Sequence, residues 1–418
     1  MTARITLGLG SNLAPKRTHL LRALAALEAA GVKILRQSSV YASPALLPPD
    51  APPEWDQEFL NQVVEVETDL APDALLGLLK STEQILGRKD RGRWAPREID
   101  LDLLDYRGIT LVSPTLTLPH PGIPVRDFVL LPWQEMMPST IRADAIAAMA
   151  HITARRWRAP TQIMGILNLT PDSFSDGRNI TPEAACEAFL RLVEEGAEIV
   201  DIGAESTRPG ATPVSAEEEW ERLRAPLETM VSHPDRSRVQ LSIDTRHAST
   251  AARVLDYGIE IINDVSGLHD EAMRRVLARA SCEVVVMHSL TIPADPSVTL
   301  PADADPVATL QAWKEQRERS LAAAGIDPVR IIFDPGIGFG KTAAQSLDLL
   351  ARMSELVDGG GRWLIGHSRK SFLRTVGAAE NPIARDPETL AFSRRLMDIP
   401  VDILRVHDVA SHIRLRGS

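Results

Sequence analysis

With only two cysteines in 418 residues, Cys186 and Cys282, the chain has no disulfide framework of the kind that staples small secreted domains. Cys186 falls inside an expected helix and Cys282 just before an expected strand. Both read as reduced, buried, small apolar residues rather than as a disulfide or a metal site. Long apolar runs are also missing, which excludes a membrane-spanning helix. There is no leader-like stretch at the start, because patterned sequence begins at Ile5–Gly10; the expected location is the cytoplasm. Basic excess is lacking too: the net charge of −10 argues against a general nucleic-acid surface, although local basic clusters can still hold phosphate. Finally, neither a P-loop nor a kinase glycine loop is present. DPGIGFGKT (334–342) has the look of a Walker A motif, but the glycine required five residues before Gly340 is Pro335.

What is present is a repeated break from apolar to polar. Eight short apolar runs are Ile163–Leu169, Ile199–Ile202, Val239–Ile243, Ile259–Ile262, Val284–Met287, Ile331–Phe333, Trp363–Ile365 and Val401–Leu404. Helix-length stretches separate them, which is the pattern of a (β/α)8 TIM barrel with its chemistry at the C-terminal strand ends. Asn168, Glu205, Asp244, Asn263, His288, Asp334, GHSRK (366–370), Arg405 and His407 occupy those ends. A barrel of roughly 250 residues leaves about 160 for a second domain. The expected layout is a domain over 1–140, a basic linker over 141–160 that includes a short helix (Ile141–His151), and a barrel over 161–418.

In the first domain, strands are expected at 4–10, Val32–Tyr41, Phe59–Thr68 and Glu98–Asp105, and helices at Leu20–Gly31 and Pro72–Leu86. The order βαββαβ indicates a ferredoxin-like α+β sandwich. Within IDLDLL (99–104), Asp100 and Asp102 are two apart on a strand and project to one face. Two carboxylates about 4 Å apart repel by roughly 4 kcal/mol at an effective dielectric near 20. Mg²⁺ relieves such a pair, typically together with substrate phosphates. A lone DxD is most often just an acidic strand face. Here Arg88, Arg91, Arg93 and Arg97 precede it, and His120 and Arg126 follow, the surroundings in which a triphosphate is held for transfer.

GLGSNL, FLN (59–61), RWAPREIDLDLL and PHPGIPVRDFVLLPW together resemble the 6-hydroxymethyl-7,8-dihydropterin pyrophosphokinase family over residues 4–135. The resemblance implies that Asp100 and Asp102 hold two Mg²⁺ ions with ATP as substrate. It implies that Arg93, Trp94, Arg97, His120 and Arg126 contact the nucleotide or stabilise the transferred group, with Glu83 near the nucleotide. Phe59, Asn61 and Phe128 form a pterin slot. Ala95 stands where the family usually has glycine, and the arginine loop is slightly short, so the resemblance assigns no catalytic role to Arg88 or Lys89.

In the barrel, two zones are expected. LNLTPDSFSDG (167–177), ESTRPGA (205–211), GHSRKSF (366–372) and RVH (405–407) supply hydroxyls, glycines and cations, including Arg208 and Arg369, suited to a diphosphate. Deeper, Asp244, Asn263, Asp334 and Lys370 are placed to hydrogen-bond a flat heterocycle. His288 reads as a strand-end histidine without a ligand, Met287 as packing, and Glu205 either as an ion-pair partner of Arg208 or as a substrate contact. Seven motifs, GILNLTPDSFSDG, GAEIVDIGAESTRPGA, SIDT, INDVSG, DPGIGFGKT, GHSRKSF and RVHDV, resemble the dihydropteroate synthase family in order across 162–410. That resemblance implies Asn168 as a Mg²⁺ ligand, and Asp244, Asn263, Asp334 and Lys370 as pterin contacts. Arg208, Arg405 and His407 would hold diphosphate, and Thr207, Pro209, Phe339 and Ser368 would line a p-aminobenzoate pocket. It also implies that barrels pair as homodimers through their outer helices. After the fifth strand the family's MHM is replaced by MHSLTIPADPSVTL, a departure in that loop.

The two activities are consecutive: diphosphate moves from ATP to the pterin, then leaves as p-aminobenzoate adds, giving dihydropteroate. Two other readings compete, a methyltetrahydrofolate-type methyltransferase barrel and a non-catalytic pterin-binding module. The first leaves the STRPG and SRKSF loops without a job. For the second, both barrel aspartates and the metal asparagine are intact.

Overall fold

The computed structural model describes residues 5–92, 94–106, 108–136, 152–157, 160–170, 181–207 and 210–417. The chain divides into two units, Met1–Arg158 and Ala159–Ser418. No helix among the described residues is long and apolar enough to cross a membrane.

In the first unit, β1 (Ile5–Ser11), β4 (Phe59–Glu67) and β5 (Asp100–Tyr106) form the centre of an antiparallel sheet in the order β5-β1-β4. Helices α1 (Lys16–Ala29) and α2 (Pro72–Ile85) bury Leu20, Leu24, Leu27, Leu75 and Leu79 in a core with Ile5, Leu7, Leu101 and Leu103. Pro72 opens α2, where its missing N–H has no helical partner to lose. The expected strand 32–41 is two strands, β2 (Lys33–Gln37) and β3 (Tyr41–Ser43), both paired to β4. The break has a structural use: Ser38 turns its hydroxyl to the Val63 amide, a bond that continuous pairing would not leave room for. Residues 152–157 of the expected linker belong to this unit. Arg155–Arg156 pairs with β3, and Asp127, at the start of α3 (Asp127–Met136), accepts the amides of Thr153 and Ala154 at 2.5 and 2.7 Å. The helix expected at 141–151 lies outside the described residues.

The second unit is a closed barrel of eight parallel strands: Gln162–Asn168, Ile199–Gly203, Gln240–Asp244, Ile261–Asp264, Glu283–Met287, Ile331–Asp334, Arg362–Ile365 and Ile403–Val406. Strands in such a barrel are covered on both faces, which is why their sequences read as continuous apolar runs. Ile163, Val200, Ile202, Leu241 and Ile243 pack outward against helices. Met164, Ile199, Ile261, Val285, Ile332, Leu364 and Ile403 form a separate apolar layer. By the two-residue period of a strand, the positions next above that layer toward the C-terminal ends include Asp201, Asn263, Met287, Asp334 and Arg405. Several helices are pinned by capping side chains, among them Thr181, Ser215, Asp270, Asp305 and Thr342, each worth about 1 kcal/mol. The helix after the eighth strand, Val409–Arg416, has only 8 residues.

Candidate active sites

The first site begins with glycine. Register sets Gly10 beside Asp100 and Asn61, and Gly8 beside Asp102 and Val63, so β1 adds no side chains between its neighbours. A Cβ at Gly10 would lie 3.3 Å from Asn61 Oδ1 and 3.6 Å from the Phe59 ring. The GLG at 8–10, uninformative by itself in the sequence, is the floor of a cleft of about 120 Å³ lined by Phe59, Asn61, Trp94, Arg97, Asp100, Asp102, Arg126 and Phe128. Asn61 donates its amide to Ser43 Oγ at 3.0 Å, which turns its carbonyl oxygen the other way. Arg126 sits over the Phe128 ring at 5.8 Å. Trp94 holds φ +72, a left-handed backbone that a bulky residue adopts only at a cost.

The two aspartates differ through their neighbours. Asp100 meets Arg88 at 2.6 Å and Arg97 at 3.2 Å, whereas Asp102 meets Arg126 at 3.6 Å. Burial pushes Asp100 up, but Arg97, Arg88 and Lys80 outweigh it and hold the carboxyl below its ordinary range. Burial raises Asp102, and the charge of Asp100 raises it further. Burial lowers His120 despite the nearby Asp102. Glu83 does not reach the cleft as expected. It is 3% exposed and serves as an anchor, receiving Lys80 and the Leu101 amide at 2.7 Å and Arg88 at 2.6 Å. Arg88, given no catalytic role from the sequence, is therefore fixed between Glu83 and Asp100.

At the barrel mouth the two expected zones merge. Arg405, expected to hold diphosphate, donates its Nε to Asp201 at 2.6 Å and its Nη2 to Asp244 at 2.9 Å. Asp201 also receives Ser242 Oγ at 2.5 Å and Asn263 Nδ2 at 3.1 Å. Burial drives Asp244 up to about 8 against the pull of Arg405, with Asp201, Glu219 and Asp264 adding to the rise. Burial likewise raises Asp334, opposed by Lys370, and the Gly336 amide donates to Asp334 Oδ1 at 2.7 Å. Lys370 is bonded to the Ile337 carbonyl and lies 4.9 Å from the Phe339 ring centre; burial lowers it to about 8 against the attraction of Asp334. His407 Nδ1 meets Ser368 Oγ at 3.0 Å, so Ser368 is engaged with the eighth strand and is not simply a pocket wall.

Other expectations shift in detail. Arg369 is not offered to an anion: it makes a bidentate pair with Asp386 at 2.7 Å through both bonds. Glu205 pairs with Arg246 at 2.7 and 2.8 Å. Glu205, Glu219 and His247 come close enough to hold a metal, but Arg246 already engages both Glu205 oxygens, and we assign no ion there. His288 stays a structural group, its Nδ1 2.8 Å from Lys341 Nζ and its ring edge-on to Trp313. Burial pushes His288 down to about 3 and Lys341 to about 7. The divergent loop after strand five touches both neighbours: Ala294 donates to the Thr207 carbonyl at 3.2 Å and Leu300 to that of Gly340 at 2.9 Å. Asn168 closes the first strand. Arg93, Arg208, Pro209 and 171–180 lie outside the described residues. Asp201, Lys341 and Arg246 were missed. The available signal for Asp201 was a charged residue inside the otherwise apolar run IVDIG, completely buried in the structure.

Residues 6–138 match the family model of 7,8-dihydro-6-hydroxymethylpterin-pyrophosphokinase, and residues 164–407 that of pterin binding enzymes. The folate synthesis bifunctional protein of Chlamydia trachomatis serovar D is 35% identical over 98% of this chain and 96% of its own length. The mitochondrial folate synthesis bifunctional protein of Pisum sativum is 33% identical over 98% and 87%. The structure of Xanthomonas albilineans dihydropteroate synthase with 4-aminobenzoic acid covers 62% of this chain and 91% of that one, at 38% identity and a TM-score of 0.57. Plasmodium falciparum HPPK-DHPS with pteroate covers 100% of this chain and 97% of that one with a TM-score of 0.64; at 20% identity it shares the fold. With both units matched in order and along nearly the whole chain, this protein belongs to the bifunctional folate-synthesis family, which joins a hydroxymethyldihydropterin pyrophosphokinase to a dihydropteroate synthase.

Proposed function

We propose the following division of labour among the residues of the two activities. In the first unit the pterin ring slots between Phe59 and Phe128, with Asn61 reading its edge. ATP lies over Asp100 and Asp102, flanked by Trp94, Arg97, His120 and Arg126, with Arg93 as a further cation. Mg²⁺ fits the aspartate pair, because Asp102 is raised by burial and by the charge of Asp100, the condition that a further cation relieves. When bound, Mg²⁺ would neutralise phosphate charge. Arg97 and Arg126 hold the phosphates for in-line attack by the pterin hydroxyl, and catalysis is positioning plus charge neutralisation. Glu83 acts at one remove, by fixing Arg88 against Asp100.

In the barrel, Asp244, Asn263, Asp334 and Lys370 hold the pterin. Arg405, His407 and Arg208 receive the diphosphate, and Asn168 is the residue for a Mg²⁺ that accompanies it. Thr207, Pro209, Phe339 and Ser368 face p-aminobenzoate. The bond from the pterin methylene carbon to the diphosphate oxygen breaks and the arylamine nitrogen takes its place, losing a proton. Asp244 and Asp334 favour positive charge on the ring as the leaving group departs. The observation that carries this reading is the convergence of these carboxylates with Lys370 and Arg405 at one end of the barrel. Pairing of two barrels through outer helices completes it; light scattering that gave only the 45.7 kDa chain mass would count against pairing.

The test is one reaction on the full-length chain with Mg²⁺, ATP, 6-hydroxymethyl-7,8-dihydropterin and p-aminobenzoate. AMP and dihydropteroate are both expected. AMP without dihydropteroate would sink the residue assignments in the barrel, and restoration of the product by supplied pterin diphosphate would place the fault in the first unit instead.

A further inference from the structure

Asp201 is completely buried, and its hydrogen bonds go to three other side chains of the site. Its Oδ1 accepts Ser242 Oγ at 2.5 Å, while its Oδ2 accepts both Asn263 Nδ2 at 3.1 Å and Arg405 Nε at 2.6 Å. A carboxylate so occupied has little left to offer a ligand, but it dictates what its partners offer. An amide next to a carboxylate must present its N–H₂ to it, so Asn263 keeps its carbonyl oxygen for whatever lies above. The guanidinium, fixed at Nε by Asp201 and at Nη2 by Asp244, keeps Nη1 as its outward donor.

We propose that Asp201 is a positioning residue of the synthase site, which sets the acceptor face of Asn263 for the pterin and the outward edge of Arg405 for the diphosphate through one carboxylate. The proposal rests on the reading that places the pterin against Asn263. Because the same group orients a contact to the ring and a contact to the leaving group, ring recognition and diphosphate grip are linked by geometry. A buried aspartate in an apolar strand is otherwise a poor choice for stability alone, since an apolar residue there would avoid desolvating a charge.

The experiment uses the full-length chain and pterin diphosphate supplied directly. Asp201→Asn keeps the shape but puts a donor where an acceptor is needed. The KM for pterin diphosphate should rise roughly ten- to hundred-fold, as expected for a lost charge-assisted hydrogen bond. The KM for p-aminobenzoate and the release of AMP by the first unit should not change. In an Asn263→Ala chain the same replacement should cost less by more than roughly threefold, because the amide it orients is gone. Ser242→Ala, which loosens the carboxylate without removing its charge, should give an intermediate rise and carries the test if Asp201→Asn does not fold. Strictly additive losses, an equal rise in both KM values with a lowered melting temperature, or no effect would overturn the proposal. If Asn263→Ala alone leaves the KM for pterin diphosphate unchanged, the placement of the pterin fails and takes this proposal with it. If Asn263→Ala raises that KM while Asp201→Asn is additive, only the role of Asp201 fails.

Discussion

Asp100 and Asp102 are chemically identical and two residues apart, yet the fold moves them in opposite directions. Arg97 and Arg88 hold Asp100 ionised, and burial with the charge of Asp100 raises Asp102. The sequence contained both aspartates and the arginines but not the pairing, which depends on where a loop returns. Asp100→Ala should abolish AMP release and leave dihydropteroate formation from supplied pterin diphosphate; loss of both would mean the sites are not independent. Glu219 offers a pH test at the same scale. It is wholly buried, with Thr245 donating to Oε2 at 2.7 Å, and burial raises it from 4.5 to about 7. The folded state therefore keeps a proton that the unfolded chain loses. That contribution is fully present below pH 4.5 and is lost as pH rises through about 7. Glu219→Gln should accordingly stabilise the chain at pH 8 by on the order of 1–3 kcal/mol and do little at pH 4.5. Urea midpoints at the two pH values check this; equal shifts at both would be inconsistent with a buried proton.

Strand parity carries most of the legible information at the level of elements. It put Asp100 with Asp102, because a period of two leaves no choice of face once the core side is known, while the breaks from apolar to polar put Asp244, Asn263 and Asp334 at strand ends. Asp201 was hidden for a different reason: it lies in the middle of a strand, where an apolar neighbourhood suggests core. Turns were less legible. After strand six, Gly336 holds φ +63 and a Cβ there would overlap the His288 carbonyl oxygen, while its amide serves Asp334. Gly336→Ala should destabilise the barrel by more than about 3 kcal/mol, since both the backbone conformation and the space are denied. Dihydropteroate formation should be lost while AMP release by the same chain continues; retained synthase activity would show that the turn can relax. Likewise, the split of 32–41 into β2 and β3 follows from a hydroxyl bonding a backbone amide, which no propensity encodes.

For the whole molecule, one chain joins two activities that act in sequence, and the residues proposed for each lie within its own unit. Lys370→Ala should abolish dihydropteroate formation with AMP release intact. A mixture of Asp100→Ala and Lys370→Ala chains should make dihydropteroate from ATP, the pterin and p-aminobenzoate, the pterin diphosphate passing between molecules through solution. Absence of product in the mixture, with each partial activity present, would indicate that the intermediate must stay on one chain. By itself the sequence determined the two-domain order, the eight strands and the residue types at their ends, because apolar periodicity and local motifs are properties of neighbouring positions. Tertiary structure alone decided which residue meets which: Arg405 with Asp201 and Asp244 across 204 and 161 residues, Asn61 with Gly10, Glu205 with Arg246. Barrel closure sets the eighth strand beside the first, and sheet register sets a glycine between two functional strands. Ion pairing at close range falls off within a few ångströms, so its partners are fixed by that closure and not by spacing along the chain.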